Sequence, residues 1–532
     1  MLTAGTHRAE APPVVVPERF NLADYLVDRH LREGRGDSVA ILYQDQSITY
    51  AQVCERSNRV ANGLRALGVR REERVLLLLL DSPAFVYSFF AAQKIAAVPI
   101  PTNTLLKSAD YHYLLNDSRA VAVIVSESLL PLIAAIPRSQ LPHLRHIVVD
   151  GHPSADTIPF EGLVRQPAEA QPEETSRDDA AFWLYSSGTT GFPKGAVHLH
   201  HDVVHTVVLY AQGVLGISAR DRTFSVAKLF FAYGLGNALN FPFAVGASTV
   251  LWPGPASAAN VFDQIERYRP TLFFSVPTNY GMLLAHRRED HDFDLGSVRQ
   301  AVSAGEALPA ALFERFKERF GVEILDGIGS TEILHIFISN RPGLVRPGSS
   351  GRLVPGYEAR LLDEDGLDVP DGAIGNLLIK GDSTCAYYWN KHERTKDTIE
   401  GHWIRTGDKY WRDPDGFYWY AGRADDMLKV GGIWVSPVEI ENTLAEHPAV
   451  QEAGVIGRRD DSDLEKPMAY VVLTAGKRPS NALALELQDF VRSRIAEYKR
   501  PRWVEFVDAL PKTATGKTQR FRLRESASEA VP

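Results

Sequence analysis

Cysteine is nearly absent from this sequence: Cys54 and Cys385 are the two in 532 residues. That excludes a disulfide framework and a cysteine-based metal cluster, and reduced thiols fit an intracellular setting. No apolar run approaches the roughly 18–20 residues that a membrane span needs. Residues 1–20 carry proline and charge and lack the apolar middle of a signal peptide. An excess of positive charge is missing too: the net charge is −8 and the pI near 6.1, so no basic field advertises a nucleic-acid partner. Internal repeats and long low-complexity tracts are also lacking. These absences leave the expectation of a soluble, cytoplasmic protein with no nucleic-acid or membrane partner, either a monomer or a homodimer.

What is present is ample core material. Hydrophobic residues make up 45% and charged residues 23%, and at roughly 100–200 residues per domain the length predicts a few modules. The first third alternates short apolar runs with helical spacing. Residues 75–80, 120–125 and 147–149 read as buried strands, and 83–95 as a helix with proline in its first turn. Such alternation predicts an α/β fold around a mainly parallel sheet. Residues 151–179, rich in Pro, Glu and Ser, read as an exposed connection. The pattern then resumes, with strands at 248–252, 271–276, 299–303 and 323–325 and helices at 258–267 and 309–320. Ligands of open α/β sheets bind beyond the carboxyl ends of the strands. The segments 277–280, 304–306 and 326–332 are therefore expected to meet along one edge. Residues 348–381 predict a small antiparallel or barrel-like unit. A helix at Pro437–Ala445, a strand at 469–473 and a helix at 485–496 predict a small α+β unit at the end.

One stretch carries chemistry. Tyr185-Ser-Ser-Gly-Thr-Thr-Gly-Phe-Pro-Lys-Gly195 packs three glycines, four Ser/Thr hydroxyls and one lysine into eleven positions. Glycines let backbone N–H groups approach phosphate oxygens, hydroxyls add donors, and Lys194 adds charge. The spacing is not that of a Walker loop. The string resembles the signature loop of the acyl-adenylate-forming superfamily, which includes acyl-CoA synthetases, peptide-synthetase adenylation domains and luciferases. Asp326-Gly-Ile-Gly-Ser-Thr-Glu332, Arg405-Thr-Gly-Asp408, Gly422-Arg-Ala-Asp-Asp426 and Pro511-Lys-Thr-Ala-Thr-Gly-Lys517 match further motifs in the same order, so the resemblance spans about residues 20 to 524.

The resemblance implies a large N-terminal domain, residues 1–424, of parallel-type α/β layers plus a β-barrel-like subdomain. A small mobile α+β domain, residues 425–532, follows it. It implies that ATP, with Mg²⁺, activates a carboxylic acid as its acyl-adenylate. Ser186, Thr189, Thr190 and Lys194 would hold the phosphates, and Thr331 and Glu332 would act at the α-phosphate, Glu332 also placing the metal. Gly305, Glu306, Asp326, Gly327 and Ile328 would form the adenine site, although Ile328 stands where relatives usually carry an aromatic. Asp408 and Arg423 would bind ribose. Lys517 would bridge carboxylate and phosphate, Asp425 would be the hinge, and Gly431 and Gly432 would meet the thiol.

The segments around Phe231, Ala232 and Tyr233, and around Gly329, His335 and Ile336, look most like the benzoate–CoA ligase branch. Aromatic walls suit a flat ring and bulk limits long chains. His335 reads equally as a structural histidine or as a partner for a ring substituent. No carrier domain follows Lys517, so free coenzyme A is the expected acceptor. Transfer to a separate carrier protein, a silent adenylate-binding protein and a luciferase-like oxygenase remain alternatives at this point.

Overall fold

The computed structural model describes residues 6–8, 10–186, 192–289, 292–424, 426–430, 433–460, 464–512 and 518–529. Two sheets of parallel character dominate. The smaller runs Val98–Pro101, Arg74–Leu78, Ala122–Ser126, His146–Asp150 and Ile158–Pro159, parallel throughout. Its central strands are apolar and buried on both faces, as helix-covered parallel strands must be. The larger sheet has a parallel centre, in the order Ile324–Gly329, Gln300–Ser303, Leu272–Ser275, Arg222–Ser225, Ser248–Val250 and Val39–Tyr43. Antiparallel strands flank it on both sides.

Helix boundaries follow local chemistry. Thr49 and Gln52 close a reciprocal capping box on Tyr50–Ala66, satisfying two of the donors that a helix start leaves open. Pro83 and Pro277 occupy first turns, where the missing N–H costs nothing.

The expected exposed connection at 151–179 is partly wrong. It supplies the edge strand Ile158–Pro159 and the short helix Phe160–Val164, whose Phe160, Leu163 and Val164 are buried. Gly63 makes room for them: a Cβ there would lie 2.7 Å from Leu163 Cγ. The small antiparallel unit expected at 348–381 reaches further than its own segment. Glu358–Leu362 pairs with Gly375–Lys380, which pairs with Trp403–Arg412, which also pairs with Tyr418–Arg423, and His7–Arg8 joins on Glu358–Leu362 from the start of the chain.

A smaller C-terminal domain follows. Val450–Arg459, Glu465–Leu473 and Trp503–Phe506 form one sheet, packed with the helices Pro437–Ala445, Asn481–Arg492 and Arg520–Glu529. Its apolar residues, from Leu428 onward, cluster among themselves. Among the described residues no helix is long and apolar enough to cross a membrane. Cys54 and Cys385 are free and buried.

Candidate functional site

The expected meeting of strand ends occurs. Ser275, Ser303 and Asp326 are in register on three adjacent parallel strands, so the segments that follow them leave the sheet side by side. Thr278 Oγ1 lies 3.0 and 3.2 Å from the two carboxylate oxygens of Glu306, which accept from it. Gly305, with φ +93°, makes the turn that a side chain would resist.

The phosphate loop connects two paired strands. Ala180–Ser186 and Lys194–Leu199 pair antiparallel, and the rung nearest the loop joins Ser186 to Lys194. Both side chains point at one carboxylate. Ser186 Oγ donates to Glu332 Oε1 at 3.0 Å, and Tyr388 OH donates to the same oxygen at 2.7 Å. Lys194 Nζ donates to Tyr388 OH at 2.8 Å and lies 3.7 Å from Glu332 Oε1. Burial pushes the Glu332 carboxyl upward, but the Lys194 ammonium and the two hydroxyls outweigh it and hold the group below the usual carboxylate range. Burial draws Lys194 below the ordinary lysine value, with Glu332 opposing it. Tyr388, which the sequence reading missed, is thus the bridge between them.

Thr331–Ile333 is a tight helical turn whose Ser330 side chain accepts from Ile333 N. The next residue, Leu334, has φ +72°, uncommon for a residue with a side chain.

Asp326 is buried, and burial raises its carboxyl well above the usual range. Its Oδ1 finds no hydrogen-bond partner among the described residues, an orphan acceptor that fits an amino donor. Gly327 and Gly329 permit the close approach of Ile336–Ser339: Cβ atoms there would lie 2.8 Å from Ile338 O and 2.7 Å from His335 O. Ile328, between them, is half-buried. On the antiparallel sheet, Asp408 and Arg423 are cross-strand partners, and Arg423 donates to Asp408 Oδ1 at 3.2 Å.

The residues expected at the acyl group are only partly gathered. Tyr233 OH donates to Val302 O and Ser275 O, 3.1 and 3.3 Å away, which ties Ala232–Leu235 beneath the strand ends. The His335 ring packs against Phe241, Tyr210 and Tyr233, with centroids at 4.4, 5.3 and 5.6 Å. Its Nε2 meets Asn237 Oδ1 at 3.1 Å. Burial lowers its pKa to about 3, so the ring is neutral, and Nδ1 lacks a hydrogen-bond partner among the described residues. Ile336 is buried opposite Gly329. Phe231, by contrast, packs against Phe230 with the rings tilted and centroids 4.4 Å apart. Asn237, Tyr210 and Phe241 were missed, because their relation to His335 spans distant segments.

Thr189, Thr190, Asp425, Gly431, Gly432 and Lys517 lie outside the described residues. A polar cavity of about 450 Å³ sits elsewhere, at the amino ends of the large sheet's strands, lined by Arg35, Arg220, Arg222, Arg269 and Asp221. Asp221 there is held by Arg299 at 2.8 Å and Arg269 pairs with Asp294 at 2.6 Å, so it reads as structural. Among the described residues no cluster of three or more His, Cys, Asp or Glu could hold a metal alone.

Comparison with known proteins agrees with this geometry. The family model for AMP-binding enzymes matches residues 27–389, and that for the AMP-binding enzyme C-terminal domain matches residues 439–517. The chain is 48% identical to a benzoate–CoA ligase of Thauera aromatica, covering 99% of each. It is 43% identical to a 4-hydroxybenzoate–CoA/benzoate–CoA ligase of Rhodopseudomonas palustris, covering 96% of each. Among solved structures, the anthranilate CoA ligase AuaEII in complex with anthranoyl-AMP superposes with a TM-score of 0.93 at 49% identity, covering 97% of this chain and 98% of that one. A benzoate CoA ligase from Burkholderia xenovorans superposes with 0.87 at 47% identity, covering 95% and 100%.

Proposed function

This chain belongs to the AMP-binding enzyme family, and on that footing we propose that it is an AMP-forming acid–thiol ligase that converts benzoate or a substituted benzoate to its CoA thioester. In the first half-reaction a carboxylate oxygen attacks the α-phosphorus of ATP, pyrophosphate leaves, and an aroyl-adenylate forms. In the second, the thiol of coenzyme A attacks the acyl carbon, AMP leaves and the thiol proton is lost. The observation that carries the reading is the adjacency of two environments. The polar cluster of Glu332, Lys194, Ser186 and Tyr388 joins the two strands that flank the phosphate loop to the Thr331–Glu332 turn, and three residues on, His335 sits among Tyr233, Tyr210 and Phe241.

The work of the protein is positioning and charge neutralisation. Lys194, Ser186, Thr189 and Thr190 hold the departing phosphates. When ATP enters, Lys194 exchanges the carboxylate of Glu332 for phosphate oxygens. Thr331 and Glu332 face the α-phosphate. An ionised carboxylate beside a hydroxyl is a hard oxygen donor set, which fits Mg²⁺; among the described residues no group of three or more His, Cys, Asp or Glu stands there, so the phosphates would complete the coordination. Bound there, Mg²⁺ would neutralise charge developing on the phosphate oxygens. Asp326, with its orphan oxygen, accepts from the adenine amino group beside Gly305, Glu306, Gly327 and Ile328. Asp408 and Arg423 take the ribose.

Lys517 supplies the cation between carboxylate and α-phosphate. The docking of nearby Lys512 supports this: its Nζ lies 3.3 Å from Thr278 Oγ1, beside Glu306. Asp425 is the hinge that divides residues 1–424 from 425–532, and Gly431 and Gly432 line the approach of the thiol.

The test is AMP release with ATP, Mg²⁺ and coenzyme A across benzoate, hydroxy- and aminobenzoates, acetate and octanoate. Preference for a benzoate is expected. Preference for acetate or octanoate, or adenylate formation with no thioester on coenzyme A, would overturn the reading.

A further inference from the structure

The turn that carries Thr331 and Glu332 is fixed from outside by three donors. Thr331 O faces His198 Nε2 at 2.8 Å. Glu332 O accepts from Cys385 N at 2.7 Å. Ile333 O accepts from Ser383 Oγ at 2.9 Å, and Ser383 Oγ and Tyr357 OH are 2.7 Å apart. The next residue, Leu334, is held at φ +72° and ψ −43°. A non-glycine residue stays in that region only where its surroundings over-determine it.

His198 differs from the other two donors in its origin. It lies on Lys194–Leu199, the strand that leaves the phosphate loop. Side chains on a strand alternate, so Lys194 and His198 share a face. Lys194 reaches the carboxylate of Glu332 and His198 reaches the backbone carbonyl one residue earlier. One strand face thus grips the turn at two points. The histidine is completely buried. Its other nitrogen, Nδ1, lies 2.7 Å from Asp202 Oδ2, which also accepts from Leu199 N at 3.1 Å. The Phe182 ring stacks on it at 5.5 Å. Asp202 and Phe182 therefore fix the ring plane, and Nε2, facing a carbonyl, donates.

We propose that His198, oriented by Asp202, is a positioning residue that sets the distance between the phosphate loop and the Thr331–Glu332 turn, and so the rate of adenylation. The proposal rests on the reading that Thr331 and Glu332 act at the α-phosphate. A side chain of similar bulk without a donor would let the turn drift relative to the loop. Displacement of a reacting group by about 1 Å costs up to about 100-fold in rate.

The experiment compares His198→Leu, His198→Gln and His198→Asn in three assays. These are ATP–pyrophosphate exchange with benzoate, thioester formation from synthetic benzoyl-adenylate and coenzyme A, and titration with a non-reactive benzoyl-sulfamoyl adenosine. For His198→Leu, kcat for exchange is expected to fall about 10- to 100-fold, with KM for benzoate and the thioester rate nearly unchanged and weaker binding of the analogue. Gln, whose amide can reach Thr331 O, recovers most of the rate, and Asn, one methylene shorter, does not. Unchanged exchange in His198→Leu would overturn the proposal, as would equal loss in both half-reactions. Should His198→Leu fail to fold, the Gln and Asn pair decides: equal rates refute the proposal. Thr331→Ala and Glu332→Gln separate the underlying reading. If they retain exchange, that reading falls; if they lose it while His198→Leu retains it, only the role of His198 falls.

Discussion

Adding one methyl group at Gly236 tests the acyl site geometrically. Gly236 opens a wide π turn, Gly236–Asn240, of the kind often found at functional sites. A Cβ there would lie 2.3 Å from His335 Cδ2 and 2.7 Å from Nε2, with Phe241 Cζ at 3.3 Å. Carbon atoms rest at about 3.5 Å or more, so the imidazole must move by about 1 Å. Phe241, at 4.4 Å between centroids, and Tyr210, at 5.3 Å, occupy two sides. Tyr233, at 5.6 Å, stands on a third, so the displaced ring presses on the side chains proposed to hold the acyl group. Overpacking of this kind costs about 1–3 kcal/mol, and loss of the His335–Asn237 hydrogen bond adds about 1 kcal/mol.

If the displaced ring takes up space proposed for the acyl group, Gly236→Ala raises KM for benzoate by roughly 30- to 700-fold, at 1.4 kcal/mol per tenfold. KM for ATP stays where it was. The assay is AMP release with varied benzoate, then varied ATP, beside a thermal melt. The paired variant Gly236→Ala with His335→Ala removes the clash and should restore much of the affinity lost in Gly236→Ala alone. Three results would refute the reasoning: an unchanged KM for benzoate in a protein that melts normally, an effect on ATP instead, or no relief in the double variant.

Tyr388→Phe removes the hydroxyl that joins Lys194 to Glu332. A hydrogen bond to a charged group contributes about 1.5–3 kcal/mol, so pyrophosphate exchange should fall roughly 10- to 100-fold, while unchanged exchange would remove Tyr388 from the site. Asp81, beneath Leu229, is raised by burial from 3.8 to about 6, with Lys228 opposing the rise. The folded state therefore holds its proton more tightly than the unfolded chain, and this group's contribution to stability declines as pH rises from 3.8 to about 6. The melting temperature of Asp81→Asn relative to the parent should accordingly climb across that window, and a flat difference would contradict the assignment. Arg520 joins Glu441, at 2.7 and 2.9 Å, to Asp426, at 3.3 Å, and all three side chains are largely buried. Arg520→Ala leaves Glu441 without its arginine and Asp426 with Arg524 alone, at a cost of about 3–5 kcal/mol; calorimetry should show the C-terminal domain melting earlier, and an unchanged melt would show that Glu441 relaxes into solvent.

Local signals were legible and long-range ones were not. The strand at 75–80 and the helix at 83–95 were readable because each carries its own pattern, a continuous apolar run and a proline-led start. The structure places them at Arg74–Leu78 and Pro83–Lys94. Phe160–Val164 was hidden because its three buried apolar residues sit inside a Pro- and Glu-rich stretch, and the room for Leu163 comes from Gly63, far away in sequence. Pairing of His7–Arg8 with Glu358–Leu362 has no local signature at all. The candidate site divides the same way. Ser186, Lys194 and Glu332 lie in motifs that can be read as strings. Tyr388 and His198 become functional candidates only through partners distant in sequence: Glu332 for Tyr388, and Thr331 for His198.

The distribution of strong and weak contacts bears on how the C-terminal domain can move. Beside the proposed hinge, the strong contacts are internal to the small domain: Asp426 is held by Arg520 and Arg524, and Arg520 in turn by Glu441. Across the divide, Lys512 reaches Thr278 by a 3.3 Å hydrogen bond, while its shorter partner, Glu452 at 2.6 Å, belongs to its own domain. A partly exposed bond of that kind contributes about 1 kcal/mol or less. On the proposed hinge at Asp425, a body held together by buried ion pairs would turn as a unit before it unfolds. The proposed role of Lys517, which serves adenylation and then withdraws to admit a thiol, requires such a motion. Breaking the contact at Thr278 would be cheap, whereas the Arg520 cluster would travel intact with the domain.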